Sequence, residues 1–454
     1  MKARLASALA ATGVAILLGA CGGSTGSRAA SSSKPAQAAS GSGVPLPQQY
    51  ADCMRAHGIH NFPNPVDGHI TLTPSSGVDP SAARFRTASE ACAKYGPSAG
   101  GSPDSAGATS GTGGSGSSAA ATRTAWRRYG AWLAQRAAAG QFSGTVLVAD
   151  VHQRLLDAGY GLADRPTRTA NTPQTRFCIA SIGKLFTAVA IAQLAEQHKL
   201  SFHTPVGEYL RRLPPVIGEH VTIANLLDMT SGLDNTVLGR RNPPHTLAGM
   251  VALIARERPQ FTSGARFDYS NDGYILLGAV IQDVSGETYA SYIRQHVFRP
   301  AGMTHTGYRV YTPAHVPGMA HGYARTGSAL RDISHMPQIA NPSGGAYSTT
   351  GDLLNFARAL LNHRMLNAAM TRMILAPRVK SPQPGGPPVD EYTYGFSYQQ
   401  LGGVTFVGHN GGTPGYEGEI DIYPDTGDVV VVLTNQDQTM VPAIQRSEAI
   451  ITGA

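Results

Sequence analysis

The spacing of apolar residues becomes regular after Arg123 and predicts a helix followed by a two-stranded hairpin. The residues that give the helical spacing are Trp126, Tyr129 and Leu133. The largely apolar stretch 142–149 predicts the first strand of the hairpin, and 155–160 predicts the second. Beyond Ser181, apolar residues recur at helical intervals as far as Leu194, so a second helix is predicted there.

Three more strands are predicted near the C-terminus, over residues 404–407, 418–423 and 429–433. Residues 424–427 have the sequence Pro-Asp-Thr-Gly, which favours a turn between the last two strands. A closing helix is predicted over 443–451. Strands at both ends of the region with helices between them predict an α+β fold, in which one antiparallel sheet is assembled from the two termini and carries a helical insertion.

Composition divides the remainder of the chain into tethers and one small module. Residues 21–48 and 98–122 consist mainly of Gly, Ser and Ala, and we predict that both are flexible. The segment between them, 49–97, is predicted to be a small helical module. Residues 123–454 then form the main domain, which is long enough to bury a sizeable core.

The first twenty residues are typical of an export signal, because basic residues precede an apolar stretch that is too short to span a membrane comfortably. Residues 18–21, Leu-Gly-Ala-Cys, resemble the lipobox of a bacterial lipoprotein, in which the cysteine carries the lipid after cleavage. We therefore expect an exported protein that is anchored at the outer face of the cell membrane through Cys21. The alternative is an ordinary secretory signal with an incidental cysteine.

Two cysteines lie in the small module, Cys53 in one predicted helix and Cys92 in another over 82–95. A segment of this size cannot bury much apolar surface, and an exported protein meets oxidising conditions, so we expect a disulfide between them. The alternative is a metal site that adds the nearby histidines, which are His57, His60 and His69. Their spacing matches no zinc pattern, and we predict no metal.

The formal net charge is +7, and arginine supplies most of the basic residues. Such a balance favours contact with anionic membrane surfaces and wall polymers. No run of basic residues is interleaved with aromatic ones, so nucleic acid is not an expected partner. The expected partners are the membrane and a small-molecule or peptide substrate, with cell-wall peptidoglycan as one candidate.

The candidate catalytic chemistry begins with Ser181-Ile182-Gly183-Lys184. At a helix start, Ser181 and Lys184 lie on the same face, and the positive helix end favours a serine oxyanion over a protonated lysine. A neutral Lys184 can then accept the serine proton. The same spacing at Ser31 and Lys34 lies in a tether, where no helix organises it. For Ser181 the alternative is a helix N-cap beside an exposed lysine.

A second candidate element is Tyr269-Ser270-Asn271. A phenol with a lowered pKa at Tyr269 can relay a proton to a leaving group. The side-chain amide of Asn271, two residues away, can hold a substrate carbonyl. The alternative is a structural turn, because Tyr-Ser-Asn-Asp-Gly is favourable turn sequence.

A third element is His409-Asn410-Gly411, which follows a predicted strand. The pattern His-x-Gly also occurs at His305, after a turn, so it is uninformative by itself. At His409 the strand meets a glycine-rich stretch. There the backbone N–H of Gly412 can pair with that of Ser181 as an oxyanion hole.

Taken in this order, Ser-x-x-Lys, Tyr-x-Asn and His-x-Gly resemble the serine β-lactamase and D-alanyl-D-alanine carboxypeptidase superfamily. The branch with class C β-lactamases, alkaline D-peptidases and related esterases is the most similar. Three further runs, Leu226–Leu233, Pro300–Met303 and Gly344–Thr349, also resemble that branch. The resemblance covers 123–454 and implies an antiparallel sheet flanked by helices, an all-helical subdomain and a cleft between them.

The resemblance implies a covalent serine hydrolase that needs no cofactor. The implied catalytic residues are Ser181, Lys184 and Tyr269, and the implied substrate-binding residues are Asn271, His409, Gly411 and Gly412. His409 replaces the lysine of true β-lactamases at a position that helps to bind a substrate carboxylate. A D-peptide or an ester is therefore the expected substrate, while a β-lactamase and a non-catalytic binder of cell-wall peptides on the same fold are the alternatives.

Overall fold

In a computed structural model of the chain, the described residues are 46–62, 64, 88, 91–92, 115–327, 329–381 and 390–453. They belong to two compact units that divide after Ser110, and each unit is described by itself. Several predicted segments lie wholly or largely outside the described residues. These are the signal peptide 1–20, the lipidation site Cys21, the tether 21–48, the helix 82–95 and the first part of the linker 98–122.

The first unit contains helix α1 (Leu46–Ala56) and a disulfide between Cys53 and Cys92. The Cα atoms of the two cysteines are 5.8 Å apart. The predicted pairing is therefore confirmed, and because the bond uses both sulfur atoms, neither cysteine is available as a thiolate ligand. Apolar side chains are buried around the disulfide, and they are Ala51, Met54, Ile59 and Phe62.

The second unit is organised on one eight-stranded antiparallel sheet. Its strands are β1 (Gly144–Ala149), β2 (Arg154–Tyr160), β3 (Val379–Lys380), β4 (Glu391–Tyr392), β5 (Ser397–Leu401), β6 (Val404–Thr413), β7 (Tyr416–Ile422) and β8 (Val429–Thr434). The spatial order is β3-β4-β5-β6-β7-β8-β1-β2. Strand β1 pairs with β8 along its whole length, so the sheet is assembled from both termini, as predicted.

The structure extends one predicted strand and adds three. Strand β6 continues past 404–407 as far as Thr413, so the glycine-rich stretch after His409 is strand as well. Strands β3 to β5 carried no clear signal in the sequence, because two of them are only two residues long and the third is rich in glutamine. The edge of the sheet on this side was therefore not predicted.

Helices cover both faces of the sheet and fill the insertion. The longer ones are α2 (Ser115–Ala138), α3 (Lys184–Glu196), α4 (Leu247–Ile254), α5 (Asn271–Ser285), α6 (Thr350–Leu361), α7 (Ala368–Leu375) and α8 (Met440–Thr452). Short helical segments lie at Ala180–Gly183, Val206–Glu208, Pro215–Gly218, Ile223–Leu227, Tyr289–Tyr292, Ile293–Phe298, Arg299–Ala301 and Pro313–His315. Helix α2 begins within the stretch predicted as the linker 98–122. No helix among the described residues is long and apolar enough to cross a bilayer.

Four short two-stranded ribbons complete the unit. They pair Leu162–Asp164 with Thr169–Ala170, Phe177–Cys178 with Tyr347–Ser348, Val310–Tyr311 with Gln338–Ile339, and Tyr323–Thr326 with Ala329–Asp332. The ribbon that contains Cys178 matters most for function, because it ends just before Ser181 and fixes the approach of the chain to α3.

The sheet separates two apolar layers, because alternate residues of each strand face opposite sides. On one side, β1 and β8 residues such as Val146 and Val432 pack against α2 and α8. On the other side, Leu147 and Val431 belong to the larger core that surrounds α3. Every residue of α3 from Lys184 to Leu194 is buried, which explains why this helix is apolar on all sides.

Three carboxyl groups are buried between β7 and α8. Glu419 and Asp421 lie on β7 and face Glu448 of α8, and one carboxyl oxygen from each of the three residues lies within 4.8 Å of the other two. Glu419 Oε2 and Asp421 Oδ2 have no hydrogen-bond partner among the described residues. Burial raises the pKa of all three groups, and repulsion from neighbouring carboxylates raises the pKa of Glu419 and Asp421 further.

This cluster predicts that the protein loses stability as pH rises. Below about pH 3, folded and unfolded chains both retain these carboxyl protons, so the stability is fully present. As pH rises the unfolded chain ionises first, and the free energy of unfolding falls by about 1.4 kcal/mol per pH unit for each proton that only the native state retains. Denaturant unfolding between pH 4 and 9 measures this slope, and Glu419→Gln and Asp421→Asn should flatten it. The exposed Asp425→Asn is the matched control, and equal slopes in all variants would contradict the prediction.

Candidate active site

Ser181 lies in a 3-10 turn, Ala180–Gly183, that leads directly into α3. Ala180 has φ of 41°, a left-handed conformation that is uncommon for a residue with a Cβ. Strain of this kind persists only where surrounding contacts enforce it, and here the Gly345 N–H donates to Ala180 O at 3.1 Å. The turn therefore holds Ser181 at a fixed position at the mouth of a buried helix.

The Lys184 side chain is fully buried, and its amine meets three oxygen atoms. Nζ is 3.1 Å from Ser181 Oγ, 2.7 Å from Asn271 Oδ1 and 2.7 Å from the backbone oxygen of Ser343. None of these groups is a carboxylate, so no opposite charge compensates a buried ammonium. Burial accordingly lowers the pKa of Lys184 well below its ordinary value.

The hydrogen-bond geometry of Lys184 determines where its lone pair points. A neutral amine has two N–H bonds and one lone pair. The amide oxygen of Asn271 and the carbonyl oxygen of Ser343 can only accept, so they take the two N–H bonds. The lone pair remains for the third neighbour, the hydroxyl of Ser181. This geometry is compatible with the role predicted for Lys184, that of the base that accepts the serine proton.

Tyr269 lies beside this pair, with its ring centre 4.7 Å from Lys184 Nζ. Burial raises the pKa of Tyr269, and this effect outweighs the hydrogen bond to Ser181, which lowers it. The expectation of a phenol with a lowered pKa was wrong, because the site is too deeply buried to stabilise a phenolate. Tyr269 is thus an O–H donor in the resting site.

His409 lies within the wall of the site, with only 3% of its surface exposed and its ring centre 6.2 Å from that of Tyr269. Nδ1 faces the backbone oxygen of Asn410, so this nitrogen carries the proton and donates. Nε2 then accepts from the Tyr392 hydroxyl at 3.0 Å. Burial, followed by the nearby Lys184 amine, lowers the pKa of His409 to about 3, so the imidazole is neutral.

Strand β6 extends beyond β5 and runs beside the turn that holds Ser181. A Cβ placed on Gly411 would lie 2.3 Å from Ile179 O and 2.9 Å from Ser181 N, so only glycine permits this approach. Gly412 has no atom within 4 Å of its corresponding Cβ position and lines the same cleft as Ser181. The structure thus brings the predicted oxyanion-hole residues to one place.

The cleft in front of Ser181 has a volume of about 320 Å³, and none of its described lining residues has a charged side chain. Leu238 and Pro243 form part of one wall, and Gln338 and Ile339 form part of another. The predicted residues Ser181 and Asn271 both line it. A substrate that enters this cleft therefore meets apolar and neutral polar groups.

Sequence reasoning missed three residues of the site. The backbone oxygen of Ser343 orients Lys184, Tyr392 binds His409, and Asn235 contacts the segment Tyr269–Asn271. Ser343 directly precedes the Gly344-Gly345 run, which was the available signal for its neighbourhood. Tyr392 and Asn235 belong to no recognisable motif.

Comparison with known proteins agrees with this geometry. The sequence profile of the β-lactamase family matches residues 129–453. The PbpX protein of Bacillus subtilis (strain 168) is 30% identical over 300 residues, which is 65% of this chain and 71% of that protein. A crystal structure of a penicillin binding protein from Bacillus halodurans is 32% identical, with a TM-score of 0.63 over 72% of this chain and 98% of that chain. A D-stereospecific amidohydrolase from Streptomyces sp. is 26% identical, with a TM-score of 0.60 over 74% and 99% of the two chains.

The fold and the site define a serine hydrolase with an antiparallel sheet flanked by helices. The chain belongs to the β-lactamase family. The predicted superfamily and fold class are thereby confirmed, whereas the individual roles of the site residues stay predictions.

The two adjacent glycines of β6 provide a test of the close approach at Ser181. Gly411→Ala places a methyl group against the backbone around Ser181, and we expect a loss of about 1–3 kcal/mol in unfolding free energy together with loss of hydrolase activity. Gly412→Ala is the matched control, with an expected change in unfolding free energy within about 0.5 kcal/mol. Denaturant unfolding measures both, and equal destabilisation of the two variants would contradict the geometry.

Proposed function

We propose that this serine hydrolase acts through an acyl-enzyme at Ser181 on esters or on peptides that contain D-amino acids. The observation that carries the proposal is the fully buried Lys184 amine, which has no carboxylate beside it and lies 3.1 Å from the Ser181 hydroxyl oxygen. A non-catalytic binder of cell-wall peptides has no need of such an arrangement, because burying an unpaired amine is costly.

In the proposed reaction, Ser181 Oγ bonds to the substrate carbonyl carbon while its proton passes to Lys184 Nζ. The oxyanion is held by backbone N–H groups of Ser181 and Gly412. When the tetrahedral intermediate collapses, the leaving alcohol or amine takes the proton of the Tyr269 hydroxyl while Lys184 passes its proton to the Tyr269 oxygen in the same step, so that no free phenolate forms. Water then cleaves the acyl-enzyme ester by the same proton transfers in reverse order.

The charge of the cleft supports an ester or D-peptide substrate over a β-lactam. Neutral His409 occupies the position at which the resemblance leads us to expect a cationic lysine, and the described lining residues have no charged side chain. A substrate carboxylate therefore gains no ion pair at these residues. The similarity to a D-stereospecific amidohydrolase supports a substrate with D stereochemistry.

We also propose that the enzyme works outside the cell, anchored by a lipid on Cys21. The support is the sequence alone, which predicts an export signal over 1–20, a lipobox that ends at Cys21, and a tether rich in Gly, Ser and Ala after it. The proposed partners are accordingly the membrane, through the lipid, and a small-molecule or peptide substrate such as peptidoglycan. The boundaries of the tethers and of the 49–97 module stay predictions.

A substrate panel tests the proposed reaction. We expect an activated ester or a D-peptide amide without a free C-terminal carboxylate to be turned over at least about tenfold faster than a chromogenic β-lactam, because the β-lactam carboxylate gains no ion pair in the cleft and a lost ion pair costs roughly 1.4 kcal/mol or more. A serine-reactive probe should label the wild type and fail to label Ser181→Ala. Rapid β-lactam hydrolysis would identify a β-lactamase instead, and absence of labelling in folded wild type would favour the non-catalytic binder.

Membrane fractionation tests the anchor. Wild-type protein expressed in a bacterium with lipoprotein processing should partition with the membrane, and its N-terminal peptide should have the mass of a diacylated cysteine. Cys21→Ala should remove the lipid mass and release the protein from the membrane fraction, because no lipid then holds it. The matched control is Cys178→Ala, which alters a buried free thiol in the catalytic unit. Unchanged partitioning of Cys21→Ala would exclude this anchor.

A further inference from the structure

The short segment 234–243 contacts both ends of Tyr269-Ser270-Asn271. The Asn235 side-chain amide donates from Nδ2 to Tyr269 O at 2.9 Å, and its Oδ1 accepts from the Asn271 N–H at 2.7 Å. Only one orientation of the amide satisfies both contacts, because one partner is an acceptor and the other a donor. Asn235 therefore ties the backbone of the proposed proton donor to that of the residue that orients Lys184.

Additional contacts fix the same segment to the start of α5. The Ser270 hydroxyl donates to Asp234 O at 3.0 Å and accepts from the Gly273 N–H. The Val237 N–H donates to the buried carboxyl of Asp272 at 3.1 Å. Each of these contacts holds the backbone near the site, but Asn235 alone bridges the two functional residues through one side chain.

We propose that Asn235 is a positioning residue, whose amide fixes Tyr269 and Asn271 at the spacing that the Ser181–Lys184 pair requires. Asn271 Oδ1 takes one N–H of Lys184, so a shift of Asn271 frees that N–H and turns the lone pair away from Ser181. A shift of Tyr269 moves its ring away from Lys184 Nζ, which lies 4.7 Å from the ring centre. The inference rests on the proposed function, since it assigns Asn235 a role in the acylation step.

The same segment also connects the Asn235 clamp, meaning the two hydrogen bonds from its side chain to Tyr269 and Asn271, to the cleft. Leu238 follows Asn235 by three residues, is 39% exposed and lines the cleft, as does Pro243. The Gly239 N–H donates to Asn235 O at 3.1 Å, so the cleft wall and the clamp belong to one hydrogen-bonded turn. A substrate group that packs on Leu238 therefore presses on the residue that positions Tyr269.

The first test compares Asn235→Ala with Asn242→Ala. Asn242 is an exposed asparagine of the same segment and makes no hydrogen bond with other described residues. We expect Asn235→Ala to lower the acylation rate constant about 10- to 100-fold while KM changes by less than about threefold, because misplaced catalytic groups affect the transition state more than binding. Asn242→Ala should match the wild type. Equal acylation rates in wild type and Asn235→Ala would overturn the inference.

The second test uses Asn235→Asp and pH. When the introduced carboxyl group is ionised, it still accepts from the Asn271 N–H but repels Tyr269 O, whereas its protonated form donates to that oxygen as asparagine does. The ratio of the Asn235→Asp rate to the wild-type rate should therefore rise as pH falls from 8 to 5, and the corresponding ratio for Asn235→Ala should stay flat. Parallel ratios for the two variants would indicate a merely structural role and overturn the inference.

A third readout does not depend on catalysis. Amide hydrogen exchange in the peptide that spans 269–273 should be at least about tenfold faster in Asn235→Ala than in Asn242→Ala, since the clamp no longer protects that backbone. Unchanged exchange would overturn the inference whatever the activity. If the two variants differ in amide exchange as expected but the wild type never acylates Ser181, the proposed function is contradicted while the hydrogen-bonding role of Asn235 remains supported.

Discussion

The site depends on one constraint, the burial of the Lys184 amine without a carboxylate beside it. In water, this amine would be protonated at neutral pH and useless as a base. Its surroundings supply two neutral acceptors, Asn271 Oδ1 and Ser343 O, which use both N–H bonds of the uncharged form. The third contact is the Ser181 hydroxyl. Desolvation and hydrogen-bond geometry thus both favour the uncharged amine, which is the form that the proposed function requires of Lys184.

Several features of the rest of the unit exclude water from this amine. Helix α3 is apolar on all sides and lies between the sheet and the helical insertion, so the amine at its first residue is enclosed. Gly411 lets β6 approach the backbone at Ser181 more closely than any side chain would allow. The left-handed Ala180 then turns the chain into the helix. Close packing and local strain therefore act on the same few ångströms of backbone.

Charge in this protein is managed differently on the two sides of the sheet. On the catalytic side, burial lowers the pKa values of Lys184 and His409 and raises that of Tyr269, so it favours the uncharged form of each side chain. On the opposite side, Glu419, Asp421 and Glu448 lie together between β7 and α8. Their pKa values are raised, so bound protons, and not basic side chains, reduce the repulsion between these carboxyl groups. In both regions the uncharged protonation state avoids a buried charge. In the catalytic region this state serves the proposed chemistry, whereas in the carboxyl cluster it lowers the stability of the protein at high pH.

The sequence by itself determined the features that depend on short-range spacing, which are the strands and helices with regular apolar periods and the Ser181–Lys184 pair on one helical face. Through resemblance, it also indicated the family and, with it, Tyr269 and His409 as site residues. It did not reveal β3 to β5, whose short segments become strands only by pairing in succession, β5 with β6, β4 with β5 and β3 with β4. Tertiary structure alone decided that His409 is neutral, that Tyr269 has a raised pKa and that Asn235 bridges two site residues. Protonation states and bridging contacts depend on what surrounds a group in space, and those neighbours come from distant parts of the chain.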